Sequence, residues 1–369
     1  MSKIDDLIKE LCPDGVEFLD LANCSSIKRG KRVTKSDLDQ GAPFPVYSGG
    51  IKPMGYYRAY NQSKNTITVV KYGTAGFVNF IKEDFWANDV CYCIIPKESL
   101  VNKYLYYVLK NQEDYIKSQA TDAIPAHLPT DVIRSIKIPI PPLEVQKEIV
   151  RVLDSFTELE AELEAELEAR KRQYEYYRNT LLTFNERERV EYVQIGDICN
   201  MKRGKRVVKS QLNDTGSYPV YQNSLLPLGF FNEYNCRAGS VFMISAGAAG
   251  NIGFSNIDFW AADDCWIFDC HENLSERFLY YVLKNQQNTI NSGVRRSSIP
   301  RLSRVFIENI KIPVPSLEKQ KKIVSILDKF DALVNNISIG WPAEIESRRK
   351  QYEYYRNKLL TFKELECSR

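Results

Sequence analysis

The strongest constraint on this chain is that it repeats itself. Lys28-Arg-Gly-Lys-Arg32 returns as Lys202-Arg-Gly-Lys-Arg206, Pro45-Val-Tyr47 as Pro219-Val-Tyr221, and Asp84-Phe-Trp-Ala87 as Asp258-Phe-Trp-Ala261. Leu105-Tyr-Tyr-Val-Leu-Lys-Asn-Gln112 returns as the run Leu279 to Gln286, and Ile136-Lys-Ile-Pro139 as Ile310 to Pro313. Each pair lies 174 positions apart, as Lys28 lies from Lys202. Solenoid units run to roughly 20–50 residues, so a period this long is a duplicated domain.

A second repeated stretch closes each half. Residues 173–179 and 351–357 both read Gln-Tyr-Glu-Tyr-Tyr-Arg-Asn, and each is followed by a Leu-Leu-Thr-Phe run that ends at Phe184 or Phe362. Walking back from Phe184 in alternating steps of three and four meets Leu181, Tyr177, Tyr174, Leu167, Leu163, Phe156, Leu153 and Ile149, with only Arg170 and Glu160 off pattern. That spacing holds one apolar seam along a straight helix, as a coiled coil requires. The second copy supplies Ile323, Leu327, Phe330, Val334 and Ile337, then Tyr352, Tyr355, Leu359 and Phe362. Two long helices of one chain are thus expected to zip together. The first, Leu143 to Phe184, would be about 60 Å long at ~1.5 Å per residue. In the second, the offset grows from 174 to 178 (Arg178 to Arg356), which is the four-residue insertion of a heptad stutter. The inserted region contains Gly340-Trp-Pro342, and a proline inside a helix costs about 3 kcal/mol, so a break is expected there.

The expected order is a first globular domain at 1–142, a first spacer helix at 143–184, a second domain at 185–316 and a second spacer helix at 317–369, broken near 340–342. The boundaries fall at Pro139-Ile-Pro-Pro142 and Pro313-Val-Pro315, where proline stops an extended segment and can open a helix. Inside each globular part, Ile67–Val70 and Val241–Ile244 read as strands entering glycine turns at Gly73/Gly76 and Gly247/Gly250. Cys91–Ile95 and Cys265–Phe268 read as further buried strands, and Tyr104–Gln112 and Phe278–Gln286 as helices. The fold class is α+β: two duplicated α+β domains separated by two long helices that form an intramolecular antiparallel coiled coil.

Composition narrows the chemistry. With 369 residues, 44% hydrophobic and 26% charged, the chain has material for two separate cores. No apolar run approaches the ~20 residues of a membrane span and the start lacks a basic region followed by an apolar one, so the expected address is the cytoplasm. The nine cysteines contain no Cys-x-x-Cys pair and read as reduced thiols, neither a disulfide framework nor a zinc site. His127 and His271 occupy non-equivalent places without metal or nucleophile partners at a telling spacing. No phosphate loop, dinucleotide loop or amino-methyltransferase Asn/Asp-Pro-Pro-Tyr/Phe motif occurs, so no catalytic or metal-binding residue is expected in this chain.

What the letters offer is binding. Net charge is only +3, so an anionic partner must be met by local patches. The two pentads place Lys28, Arg29, Lys31 and Arg32, and Lys202, Arg203, Lys205 and Arg206, around a glycine that permits close backbone approach, which suits phosphate contact or equally a solvated loop. The first half adds Lys71 and Lys64, the second Arg295, Arg296, Arg301 and Arg304. By contrast Glu158 to Glu168 carries six glutamates and no basic residue; it reads as a solvated face that repels a phosphate backbone. Letters shared by the halves cluster in presumed core and helix. Divergent letters cluster in polar loops: Ser48–Lys52 against Asn223–Pro227, and Asp114–His127 against Asn288–Arg301. One scaffold with two reading surfaces suits recognition of two different short sequences.

The alternation of two related units with two helices resembles the specificity subunit of type I restriction-modification enzymes. The resemblance is carried by the Lys-Arg-Gly-Lys-Arg pentads, the Ile-Pro-x-Pro-x-Leu-Glu-x-Gln-Lys helix starts at Ile138–Lys147 and Ile312–Lys321, and the repeated helix ends. It implies that residues of about 17–142 and 191–316 are target-recognition domains, each reading one half of a gapped site on double-stranded DNA. It also implies a non-catalytic chain that docks two methyltransferase subunits and ATP-dependent restriction subunits; S-adenosylmethionine, ATP and magnesium would belong to those partners. Two other readings fit the same letters: a stand-alone DNA-binding regulator, and a coiled-coil adaptor that binds two proteins.

Overall fold

The computed structural model describes residues 3–121, 124, 126–185, 187, 189–213, 216–335 and 341–365. Its packing divides the chain into two units, Met1–Glu162 together with Ile345–Arg369, and Leu163–Glu344. Each unit contains one head and two lengths of helix.

In the first unit the head is built on a four-stranded antiparallel sheet, ordered Ser25–Arg29, Cys91–Pro96, Thr66–Val70, Val78–Ile81. Thr66–Val70 is buried at every residue, as expected of a central β-branched strand covered on both faces. On one face lies the helix Asn102–Asn111, which buries Tyr104, Leu105, Val108 and Leu109. On the other, Ile81, Phe85, Ala87, Cys91 and Cys93 form a smaller core. Beside it stands a three-stranded sheet, Gly55–Tyr57, Phe44–Tyr47, Trp86–Ala87, whose last pairing is parallel. A two-stranded ribbon of Glu17–Asp20 and Lys137–Ile140 closes the head, and Ile138 of the repeated Ile-Lys-Ile-Pro run is fully buried in it.

The second head repeats this plan. Its sheets are Cys199–Arg203, Cys265–Cys270, Val241–Ile244, Ile252–Phe254, then Gly229–Phe231, Tyr218–Tyr221, Trp260–Ala261, with the ribbon Glu191–Gln194 and Lys311–Val314. The helix Glu276–Asn285 takes the place of Asn102–Asn111.

One 40-residue helix, Leu143–Leu182, contributes to both units; the other helical segments are Leu317–Asn335 and Trp341–Leu360. The break expected near 340–342 and the seam position Ile337 fall wholly or partly outside the described residues. Pro342 is the second residue of Trp341–Leu360, where its fixed φ suits a helix start and its missing N–H has no intrahelical partner to lose. In the first unit the helices run antiparallel, with Phe156 stacked on Tyr355 at 5.4 Å and Glu160 paired with Arg349 at 2.5 Å. The second unit repeats the packing: Tyr177 stacks on Phe330 at 5.2 Å, and Lys319 lies over the Phe184 ring at 4.8 Å. The off-pattern Glu160 is therefore satisfied by a cation from the facing helix. The acidic run from Glu158 is mostly exposed, as a solvated face should be.

Each head is tied to its helices by the shared motifs themselves. Gln146, fully buried at the helix start, accepts from Val101 N–H and donates to the carbonyls of Ser99 and Pro141; Gln320 repeats this with Ser275, Asn273 and Pro315. Two turns on, Asp154 accepts from Tyr107 and Lys103, as Asp328 does from Tyr281 and Arg277. The repeated helix end reaches back as well. Arg356 donates to Asn111 in the first unit and Arg178 to Asn285 in the second. The first unit also pairs Val16 with Glu364 and Asp5 with Lys358, which ties the final helix to the start of the head.

Candidate nucleic-acid interface

Each pentad begins as the last two residues of an edge strand. Lys28 and Arg29 lie opposite Cys93 and Tyr92, and Lys202 and Arg203 opposite Ile267 and Trp266. All eight cationic side chains are exposed. The glycine between them serves the head's own packing: a Cβ on Gly30 would collide with the Ala87 and Asn88 carbonyl oxygens, and one on Gly204 with those of Ala261 and Ala262. The close approach read from the sequence as suited to phosphate is thus made to the chain's own backbone. It is secured by Lys31 N–H to Ala87 O at 2.9 Å and Lys205 N–H to Ala261 O at 3.0 Å.

That contact explains why the Asp-Phe-Trp-Ala motif recurs alongside the pentad. Trp86 Nε1 donates to the Lys31 carbonyl at 2.7 Å and Trp260 Nε1 to that of Lys205 at 2.8 Å. Phe85 and Phe259 are fully buried beneath, and Asp84 and Asp258 accept backbone N–H groups of Lys64 and Ala238. The motif is a clamp that presents the basic segment to solvent. The tip is fixed too, since Arg29 donates to the Asp89 carbonyl and Arg203 to that of Asp263.

Among the described residues Lys28, Lys31, Arg32, Lys205 and Arg206 have no acidic partner. Lys202 differs: it pairs with Asp269 at 2.6 Å, which raises its pKa through the hydrogen bond and the carboxylate charge. Arg295, Arg296 and Arg301 are exposed on the loop before Leu302, where Arg295 and Arg301 exchange backbone hydrogen bonds. Lys71 is half-buried, its Nζ 5.3 Å from the Tyr72 ring centre and 5.6 Å from that of Tyr92.

The loops singled out as divergent meet at one place in each head. In the first, Thr74 N–H donates to Gly49 O at 2.8 Å and Gly73 N–H to Ala126 O at 3.2 Å, so Gly49 and Ala126, one from each divergent segment, both rest on the 72–76 turn. Gly73 holds a φ of +96° there, the left-handed region that glycine adopts without strain. A cleft of about 490 Å³ opens between these loops, lined by Ile51, Thr74, Phe77, Lys117 and Thr121 among others. In the second head Ala248 N–H donates to Asn223 O at 2.9 Å and Gly247 N–H to Pro300 O at 3.1 Å. The shared cysteine holds the arrangement from below, Cys91 against the Ser48 carbonyl and Cys265 against that of Gln222. Burial pushes both thiols up to about 12, so they sit there as neutral donors.

Side chains to which sequence reasoning assigned no binding role of their own sit at the centre of this convergence. Tyr92 and Tyr72 in the first head and Trp266 in the second lie against the cations named above, and Thr130 hydrogen-bonds Tyr92 Oη. Each differs from its copy 174 positions away, but so do most of their neighbours, so the divergence alone did not single them out. His127, dismissed as a metal ligand, stacks on Tyr72 at 5.4 Å and hydrogen-bonds Thr121 through Nδ1. Among the described residues no group of three or more His, Cys, Asp or Glu could hold a metal ion, and no helix is long and apolar enough to cross a membrane.

Known proteins place the arrangement. The family profile of the type I restriction modification DNA specificity domain matches residues 13–169 and again 187–347. The chain is 32% identical to a putative type I restriction enzyme specificity subunit of Haemophilus influenzae, covering 91% of this chain and 92% of that one. It is also 32% identical to the EcoR124I/EcoR124II specificity subunit of Escherichia coli, over 98% of both chains. In fold it is similar to the crystal structure of the type I restriction-modification S subunit from M. genitalium, with a TM-score of 0.66 at 22% identity over 94% of this chain and 96% of that one. A duplicated α+β head on a long helix, with a DNA specificity domain matched once to each half, makes this chain a member of the type I restriction-modification specificity subunits.

Proposed function

We propose that the chain reads a bipartite, gapped site on double-stranded DNA, one half per head, and itself carries out no chemistry. One observation carries this reading. In each head the two divergent loops converge beside a clamped, exposed row of cations whose sequence is the same in both. Cations without acidic partners suit phosphate oxygens, which position a protein without choosing a sequence, while side chains that differ between heads suit base edges. Lys28, Arg29, Lys31, Arg32, Lys71, Lys202, Arg203, Lys205, Arg206, Arg295, Arg296 and Arg301 are the residues assigned to DNA. The helical segments are the spacer, and the acidic stretch from Glu158 keeps that part of it off the phosphates.

In this reading the chain docks two methyltransferase subunits, and restriction subunits when present, in the cytoplasm. S-adenosylmethionine, ATP and magnesium are bound by those partners. Mapping methylated adenines across the genome, with and without this chain, tests it: a motif of two short halves with a fixed gap should vanish when the chain is removed. A head exchanged for another head of the same fold should change one half of that motif only. A change in both halves, or no motif at all, would count against two independent readers.

A further inference from the structure

The two heads share the backbone around their divergent loops almost bond for bond. Leu128 N–H donates to Lys71 O at 2.8 Å, and Leu302 N–H to Ser245 O at 2.9 Å. Tyr72 bridges His127 as Ala246 bridges Arg301. Into this common frame the heads place different side chains at five touching positions. The first head has Lys71, Tyr72, Tyr92, His127 and Thr130; the second has Ser245, Ala246, Trp266, Arg301 and Arg304.

The exchange has a pattern. The ring at position 92 or 266 is a pedestal in both heads, and each head sets a cation on it from a different one of two neighbouring positions, 71/245 and 130/304. In the first, Lys71 lies over Tyr92 at 5.6 Å, and the other position holds a hydroxyl, Thr130, hydrogen-bonded to Tyr92 Oη at 2.9 Å. In the second, Arg304 lies over Trp266 at 5.5 Å, and the other position holds the hydroxyl of Ser245, turned to the Asp264 carbonyl. Lysine has become serine where threonine has become arginine. The pentad arginine stands next to the pedestal in both heads, Arg29 paired with Tyr92 across the strands and Arg203 5.9 Å from the Trp266 ring. A shared phosphate-binding side chain thus adjoins a cation whose identity and position differ between heads.

Resting on the DNA-reading function above, we propose that the cation on this pedestal is a specificity-determining residue of each head: Lys71 reads one base in the first half-site and Arg304 one base in the second. Arg304 is shaped for it. Glu308 takes its Nε at 2.7 Å, which leaves the two terminal nitrogens of the fork for a pair of acceptors. Guanine presents O6 and N7 side by side in the major groove, so the base read by Arg304 is a guanine; Lys71, a point charge without the fork, reads its base with less discrimination.

The test is methylome sequencing of cells that express the complete methyltransferase with wild-type chain or with the double variant Ser245→Lys and Arg304→Thr, which gives the second head the first head's cation. The wild type should show a two-part motif. The variant should lose its requirement for one guanine in the second half, with at least about a ten-fold fall in methylation of the original site and an unchanged first half. If the variant methylates the original motif unaltered, the assignment is wrong. Should it lose all methylation, Arg304→Lys decides, since it keeps the charge and removes the fork. Relaxed preference at that one base supports the assignment, and an unaltered motif overturns it. A wild-type complex that gives no two-part motif would defeat the underlying reading and this proposal with it.

Discussion

The first and second heads agree where they hold themselves together and disagree where they face outward. Phe85 and Phe259, Trp86 and Trp260, Gln146 and Gln320 perform the same task in both, down to their hydrogen-bond partners. Tyr72 and Ala246, or His127 and Arg301, occupy one backbone position and share no chemistry. A fold can carry such contrast because the divergent side chains stand on a turn whose geometry comes from backbone bonds and glycines, which do not depend on what the side chains are. The difference between heads is therefore a difference of reading surface, and it should be separable from stability.

The largest expected effects test the shared half of that contrast. Phe85→Ala and Phe259→Ala each remove a fully buried ring and should cost about 3–5 kcal/mol in denaturant unfolding, alike in the two heads; a head that tolerates the loss would show that the frames are not equivalent. Gln146→Ala or Gln320→Ala strands three backbone groups at the junction of head and helix and should cost about 2–3 kcal/mol by the same measurement. Trp86→Phe and Trp260→Phe keep an aromatic ring, though a smaller one, and delete one hydrogen bond, for about 1 kcal/mol each in the same unfolding curves.

Two smaller effects should separate the heads. Glu113 meets Lys110, Lys117 and the Val78 N–H; burial pushes its carboxyl up, but those hydrogen bonds and charges outweigh it and hold it below its ordinary value. A depressed carboxylate contributes stability that is complete above the unfolded pKa of about 4.5 and is lost as pH falls through the lower folded value. The second head has Gln287 in that place. Acid unfolding below about pH 4.5 should therefore weaken the first head more than the second, and Glu113→Gln should narrow the difference. Last, Lys28→Ala should lower the salt dependence of DNA binding by about one phosphate contact, whereas Lys202→Ala, already paired with Asp269, should lower it less.

Much of the architecture was legible because the duplication declared it. The strands at 66–70 and 241–244, the helices at 102–111 and 276–285 and the seam residues Leu153, Tyr174, Ile323 and Leu327 all lie where periodicity and glycine turns put them. The purpose of Gly30 was not legible, since a glycine needed for an anion and one needed for a neighbouring carbonyl look the same in a string of letters. Nor was the cluster around Tyr92, whose members lie at 71, 72, 92, 127 and 130 and become neighbours only through two strand pairings and a returning loop. Seam reading also overstated Tyr177 and Tyr355, which stack on phenylalanines yet leave 38% and 39% of their surface in water, because an aromatic ring can lie flat across a seam with its hydroxyl wet.

The first unit is discontinuous, and this sets an order of birth. A ribosome releases Leu163–Glu344 as one uninterrupted stretch, so the second unit has all its parts before the first, whose core also takes in Leu359 and Leu360. The half of the molecule that is synthesised earliest is thus the last to be completed. Until Ile345 onward emerges, Phe156 lacks Tyr352 and Tyr355 against it, and a nascent chain stalled or cut in that interval would carry one finished reader and one that is sticky and open to proteases.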